Sequence, residues 1–303
     1  MIYGLIAAIG WGTSAIAATN AARRAGTYIA VLSGQGIGVA VLVVLAAFLR
    51  PSLGAIDPAT AIGLVAAGLL GLLGYLTFYR ALEYGGAVGL TSAISATYGG
   101  ITTLLAVFVL GEHIGGFGAA GVVLAVAGIA LASAYSSAAD QAPPIAVAEP
   151  IVGVAPGPSR GQRLSRAGVP LALASAVTYG FSGFLLGGYS ARAGALGSAL
   201  IAHSASVTVL LLALPFLGRK QAWRASTSGL IWAVAAGLTD VVGLLGFSRG
   251  GQAGQVAVTA AVSSVYPAIP LLAGLVLFGE RLGRWQVLGV TLIITGLVLI
   301  GLG

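Results

Sequence analysis

No cysteine occurs among the 303 residues, which excludes disulfides and thiolate metal sites. Charge is almost as scarce. Asp, Glu, Lys and Arg make up 7% of the chain, where a soluble domain carries about a quarter. Lys220 is the only lysine, and the two histidines, His113 and His203, are too far apart for a local ligand motif. Neither a Gly-x-x-x-x-Gly-Lys-Ser/Thr phosphate loop nor a His-Glu-x-x-His metal motif is present. The residues therefore point to no enzyme and no cofactor. An ATP-driven pump would need its nucleotide domain on a partner chain. No basic cluster lies inside an apolar run, which argues against a phosphorylated sugar or nucleotide as substrate.

What fills the chain instead is apolar. Hydrophobic residues make up 58% of it, and its mean hydropathy is +1.04. A soluble fold of this size has too little interior for so much apolar surface, so the expected solvent is lipid. The 48 glycines show no Gly-X-Y period; in membrane helices glycine lets backbones approach closely. Net charge is +7, but the basic residues sit between the apolar runs. That is a topology signal rather than a nucleic-acid surface.

A helix needs roughly 20 largely apolar residues to cross the hydrocarbon core. Ten such runs are predicted, over 2–20, 28–49, 59–80, 87–110, 114–134, 168–190, 195–217, 227–248, 254–278 and 283–302. Residues 135–166 differ in kind. Pro143, Pro144, Pro150, Pro156 and Pro158 fall there with Arg160, Arg163 and Arg166. Such backbone cannot be satisfied in lipid, so this stretch is expected in water as a linker between residues 1–134 and 167–303.

The two flanking parts resemble each other. Adding 168 carries Trp11-Gly12 onto Tyr179-Gly180, Ser14 onto Ser182, Arg24 onto Arg192 and Gly26 onto Gly194. It also carries Thr91, Ser95 and Tyr98 onto Thr259, Ser263 and Tyr266, and Gly111-Glu112 onto Gly279-Glu280. Around the third and eighth runs the offset is 169, pairing Gly74, Phe78 and Arg80 with Gly243, Phe247 and Arg249. The ordered landmarks imply a duplicated unit of five helices. Five is odd, so the second copy enters the bilayer from the opposite side. The predicted fold is an all-α integral membrane protein of ten transmembrane helices in two inverted five-helix repeats, with a site between them near mid-membrane.

At these residues the chain resembles the EamA-type transporters of the drug/metabolite transporter superfamily. The resemblance is carried by Trp11-Gly12, by Tyr79-Arg-Ala-Leu-Glu-Tyr84, and by Gly111-Glu112 with its echo Gly279-Glu280-Arg281. Tyr179-Gly180 and Gly250-Gly251-Gln252 depart from the pattern. The resemblance implies a multi-pass protein of the inner (plasma) membrane that exports or exchanges amino acids, nucleobases, sugars or other metabolites without ATP hydrolysis. It also implies both termini in the cytoplasm. The distribution of arginines puts both outside.

Polar and aromatic residues inside apolar runs are the site candidates. Thr91, Ser95 and Tyr98 share one helical face, as do Thr259, Ser263 and Tyr266. Trp11 and Ser14 lie one turn apart mid-helix, matched by Tyr179 and Ser182, and Tyr75 and Tyr79 are spaced i, i+4. Substrate binding and simple bundle packing both fit these residues. Pro267 and Pro270 are expected to bend the ninth run, as a gate hinge or a tolerated kink.

Asp240 is the one acid well inside an apolar run. An ionised carboxylate there costs about 2.5–3.5 kcal/mol on insertion scales. It is a candidate for binding a proton or a substrate amine, with His203 as a relay or structural partner. Arg80 and Arg249 read as side chains snorkelling to the interface, and Glu112 as a turn residue. The expected partners are a small-molecule substrate and the lipid bilayer, with no nucleic acid and a monomer as the working unit. Three functions are weighed: alternating-access export of a small neutral or zwitterionic metabolite such as an amino acid, multidrug export of lipophilic cations, and a membrane scaffold or scramblase.

Overall fold

The apolar runs form helices whose surface is inverted relative to a soluble protein. In the computed structural model, residues 1–50, 56–83, 88–134, 168–218 and 225–270 are described, with positions 272, 284, 285, 288, 289, 291, 292, 295, 296 and 299 beyond them. The linker 135–166, most of the tenth run and Gly279-Glu280-Arg281 lie outside the described residues. Large side chains point outward, with Phe48, Phe108 and Phe216 each more than 80% exposed. The interior is dominated by alanine, glycine, serine and threonine. Small residues inside and bulky apolar ones outside are what lipid-embedded packing demands. The exposed hydroxyls of Thr13 and Thr208 bond carbonyls one turn back, Ile9 and Ser204, so they carry no unmet donor into lipid.

The elements in order are α1 (Ile2–Ala25), α2 (Thr27–Leu49), α3 (Pro58–Glu83), α4 (Val88–Ala96), α5 (Tyr98–Leu110) and α6 (Gly116–Ala134). Then come α7 (Gly168–Ala213), a π-helical turn (Leu214–Gly218), α8 (Thr227–Gln252) and α9 (Val256–Ser263). Among the described residues, five stretches are long and apolar enough to cross a membrane, one of them Pro170–Leu217 at 48 residues. At 1.5 Å per residue that is about 70 Å, over twice the hydrocarbon thickness. Gly194 (φ 72, ψ 160) breaks it into two arms. Gly26, between α1 and α2, has nearly the same conformation (φ 79, ψ 154). Both positions need φ > 0, which glycine adopts without a Cβ penalty.

The helix after each of these glycines is held alike. The Thr27 amide (3.2 Å) and hydroxyl (2.5 Å) donate to Glu83 at the end of α3, which also pairs with Arg80 at 2.9 Å. At the other site the Ala195 amide donates to Gln252 at the end of α8 (3.2 Å), and Arg249 donates to the same oxygen (2.6 Å). Gln252 is thus the repeat counterpart of Glu83, and Arg80 and Arg249 orient these caps besides reaching toward the interface.

Two predicted single helices are interrupted. The run 87–110 breaks at Thr97, whose hydroxyl bonds the Ile94 carbonyl (2.7 Å). The run beginning at 254 stops at Ser263, and residues 264–267 form a turn before helix resumes at 268. Pro267 supplies no N–H to continue the ladder. No proline lies at the α4–α5 break; Gly99 and Gly100 follow it instead.

α1 packs most extensively on α8, and α3 on α7. Each contact uses the same devices. Gly243 seats the Trp11 ring, and Gly74 seats the Tyr179 ring; a Cβ on either glycine would lie 2.5 Å from that ring. Across a further helix, Gly237 meets the Gly34 carbonyl and Gly68 meets the Ala202 carbonyl. Ser14 donates to the Ala236 carbonyl (3.0 Å), and Ser182 to the Ala67 carbonyl (2.8 Å).

Glu112 is a cap rather than only a turn residue. Its two oxygens accept the amides of Val256 (2.9 Å) and Ala257 (2.7 Å), the first donors of α9. Glu112→Ala is expected to lower stability by about 1–2 kcal/mol. Thermal unfolding in detergent checks this, with Glu112→Gln falling between the variant and the parent.

Candidate functional site

The helices converge on a cavity of about 100 Å³, several times the space one water needs. α1 contributes Trp11 and Ser14, one turn apart on one face. α3 contributes Tyr75, Phe78 and Tyr79. Tyr98 is the first residue of α5, and Tyr266 lies in the turn after α9, so both break points deliver a phenol to the wall. α7 brings Tyr179 and Ser182 from its first arm and His203 from its second; α8 brings Asp240 and Phe247.

The rings form a connected wall. Trp11 meets Tyr98 edge-on (5.9 Å, 82°) and Phe247 at 5.5 Å, while Tyr75 meets Tyr179 edge-on (5.4 Å, 84°). Tyr98 and Tyr266 lie 6.5 Å apart. Such edge-to-face packing is worth about 0.5–1.5 kcal/mol per pair beyond area burial.

Asp240 is the one acid among the described residues of the wall. It is 5% exposed, and His203 is 4% exposed. The Tyr75 hydroxyl lies 2.8 Å from Oδ1 and 2.9 Å from Oδ2, and His203 Nε2 lies 3.2 Å from Oδ2. A phenol has one proton, so Tyr75 serves one oxygen at a time. The carboxylate keeps unused lone pairs toward the chamber. Among the described lining residues there is no lysine and no arginine.

Of the residues singled out by sequence, Trp11, Ser14, Tyr75, Tyr79, Tyr98, Tyr179, Ser182 and Tyr266 line this cavity together with Asp240 and His203. Ser95 and Ser263 stand behind it. Ser95 bonds Ser175 at 2.5 Å, and Ser263 bonds the Tyr98 hydroxyl at 2.7 Å, so each supports the wall rather than facing the chamber. Tyr266 donates to the Ser92 carbonyl (2.9 Å). Pro267 is buried in the turn, and Pro270 is half-buried; neither lines the cavity. Phe78 and Phe247 belong to the wall but were not singled out as site residues. Their signal was their place as a matched pair in the duplication.

Bulky apolar side chains outside, small ones inside and an aromatic chamber at the centre define a helical membrane protein built around an internal binding space. The chain belongs to the EamA-like transporter family, whose profile matches residues 1–134 and 166–302. It is thus a membrane transporter of the drug/metabolite transporter superfamily, whose members move solutes rather than transform them. A solved structure titled only "Crystal structure of protein" is similar in fold, with a TM-score of 0.70 at 17% identity, over 99% of this chain and 95% of that one. No curated protein matches the chain.

Proposed function

We propose that this transporter is a secondary active carrier that exports a small amine-bearing metabolite across the inner (plasma) membrane by alternating access, working as a monomer. The observation that carries the reading is the chamber itself: its described wall is rich in aromatic rings, with Asp240 as its acid, His203 beside that acid, and neither lysine nor arginine. The solute's amino group has Asp240 as its partner, and its apolar part has the rings. Amino acids fall within this class, although their carboxylate would rely on hydroxyl donors.

The proposed architecture is ten spans in two inverted repeats, residues 1–134 and 167–303, joined by the linker 135–166. Its support is the reciprocity of the contacts. Ser14 to Ala236 is matched by Ser182 to Ala67, and Trp11 on Gly243 by Tyr179 on Gly74. Each pair maps onto the other when the halves are exchanged. Rocking one half against the other would open the chamber to alternate faces. The interruptions at Thr97 and at 264–267, the latter holding Pro267 with Pro270 close behind, are the proposed hinges.

Counterflow into proteoliposomes tests the reading with phenethylamine and phenylalanine, which differ only in the carboxylate. After subtraction of the flux into protein-free liposomes, exchange of radiolabelled phenethylamine is expected to exceed that of phenylalanine. Exchange of neither would remove the reading. Lipophilic cations are the second reading, favoured by the absence of lysine and arginine among the described wall residues. Drug resistance in expressing cells is its measurement.

A further inference from the structure

We infer that Asp240 and His203 form a single site that holds either one proton or the ammonium group of the solute, making the carrier an electroneutral, one-for-one amine–proton exchanger. The inference rests on the amine reading above and adds what drives the transport and with what stoichiometry.

Charge counting in the occluded state that alternating access requires carries the argument. Both side chains are buried and share a contact of 3.2 Å between His203 Nε2 and Asp240 Oδ2. With one proton on the pair, its net charge is zero, wherever that proton resides. With an ammonium bound and that proton gone, the carboxylate, the neutral imidazole and the ammonium again sum to zero. With neither, a lone carboxylate would cross the occluded state. With both, an uncompensated cation would cross it. Each of those two states carries an unpaired charge through low dielectric, and both are disfavoured on that ground. Only the two neutral states traverse, and each excludes the other ligand.

Among the described residues, no other group facing the pair changes this count. Tyr75 and Tyr79 face it from α3 and Tyr179 from α7, while Tyr98 and Tyr266 complete the wall. All are phenols, neutral at physiological pH. The wall residues of α1 are Trp11, Ser14, Ala15 and Ala18, none of them titratable, and α2 contributes none. The duplication supplies no second centre. The counterpart of Asp240 is Gly71, and that of His203 is Gln35. One centre gives one proton per monovalent cation. The rings stabilise the ammonium without accepting a proton. Tyr75, within reach of both carboxylate oxygens, can hold Asp240 in place in either state.

Full-length protein in proteoliposomes tests the exchange, with phenethylamine as the probe. A tenfold inward proton gradient is expected to drive about tenfold concentration of the amine on the acidic side, reached faster than in protein-free liposomes, where the free base crosses unaided. An imposed potassium–valinomycin potential should leave the rate unchanged. Calorimetric titration in buffers of different ionisation enthalpy should count one proton released per amine bound. His203→Gln, the residue of the other half, should still bind the amine but with a displaced pH midpoint. A purely structural role would lower stability and leave that midpoint unmoved. Counterflow that persists without response to the pH gradient, or that follows the potential, overturns the exchange while leaving the transport reading intact. Absence of phenethylamine counterflow would remove both. Should His203→Gln not fold, the gradient and proton-release measurements on the parent chain decide alone.

Discussion

Gly68→Val and Gly237→Val are each expected to abolish recovery of folded protein. A Cβ at Gly237 would lie 2.2 Å from the Gly34 carbonyl oxygen and 2.2 Å from Ile37 Cγ2; at Gly68 it would lie 2.2 Å from the Ala202 carbonyl oxygen. Backbone cannot rotate aside as a side-chain tip can, so the helices must separate. Overpacking costs about 1–3 kcal/mol where neighbours adjust and more where they do not, and these sites belong to the second kind. Separation would also strip packing from the small-residue seam that holds lipid-embedded helices together. Gly36 provides the control within the same bundle, because nothing lies within 4 Å of its added Cβ. Gly36→Ala should keep or raise the melting temperature, since alanine favours a helix interior by about 1 kcal/mol over glycine. Size-exclusion profiles and thermal unfolding in detergent distinguish the outcomes. A monodisperse, normally melting Gly237→Val would contradict the close crossing.

Helix positions were legible where charge or proline interrupts an apolar run, and less so where polar residues are absorbed into one. The first predicted run stops at residue 20 because Arg23 and Arg24 follow, yet α1 continues to Ala25. Asn20 bonds the Ile16 carbonyl, Arg23 the Leu82 carbonyl and Arg24 the Ser228 hydroxyl, so the polar groups find partners without ending the helix. The break at Thr97 was less visible, since no proline marks it, whereas Pro267 and Pro270 mark the interruption of the ninth run. Periodicity also says little in a bundle whose outward faces are as apolar as its interior.

The chamber was legible for a different reason. An aromatic ring or an acid mid-run has no interfacial explanation, and the recurrence of Trp11 and Tyr98 as Tyr179 and Tyr266 at a fixed offset ties two distant segments to one axis. What spacing cannot convey is the partner. Ser14 and Ser182 share the aromatic faces, yet each spends its proton on a carbonyl of another helix. Gln252 looked like a departure from the repeat and stands where Glu83 stands, because a neutral amide oxygen accepts from a helix amide as a carboxylate does. Ser95 shares its helical face with Tyr98 but turns to Ser175, a contact set by how α4 approaches α7.

Asp240→Asn is expected to fold and to lose amine transport by about 100-fold or more, whereas Tyr75→Phe should weaken it about 5- to 30-fold. Asparagine keeps the shape of the side chain and an acceptor oxygen for Tyr75, so the interior loses no packing and no donor is stranded. What disappears is the negative charge, and with it the charge-assisted bond to the ammonium, about twice as strong as a neutral one. The neutral-chamber condition fails as well, since a bound cation would then cross uncompensated. Phenylalanine at 75 removes one donor from Asp240 and leaves the His203 contact at 3.2 Å in place. Its cost is therefore one hydrogen bond to a charged group, about 1–2 kcal/mol. Binding isotherms and initial rates of phenethylamine counterflow, read beside melting temperatures, separate lost chemistry from lost structure. If Asp240→Asn carried the amine at the parent rate, the carboxylate would be a structural acceptor for Tyr75 and the solute would be held by the rings alone.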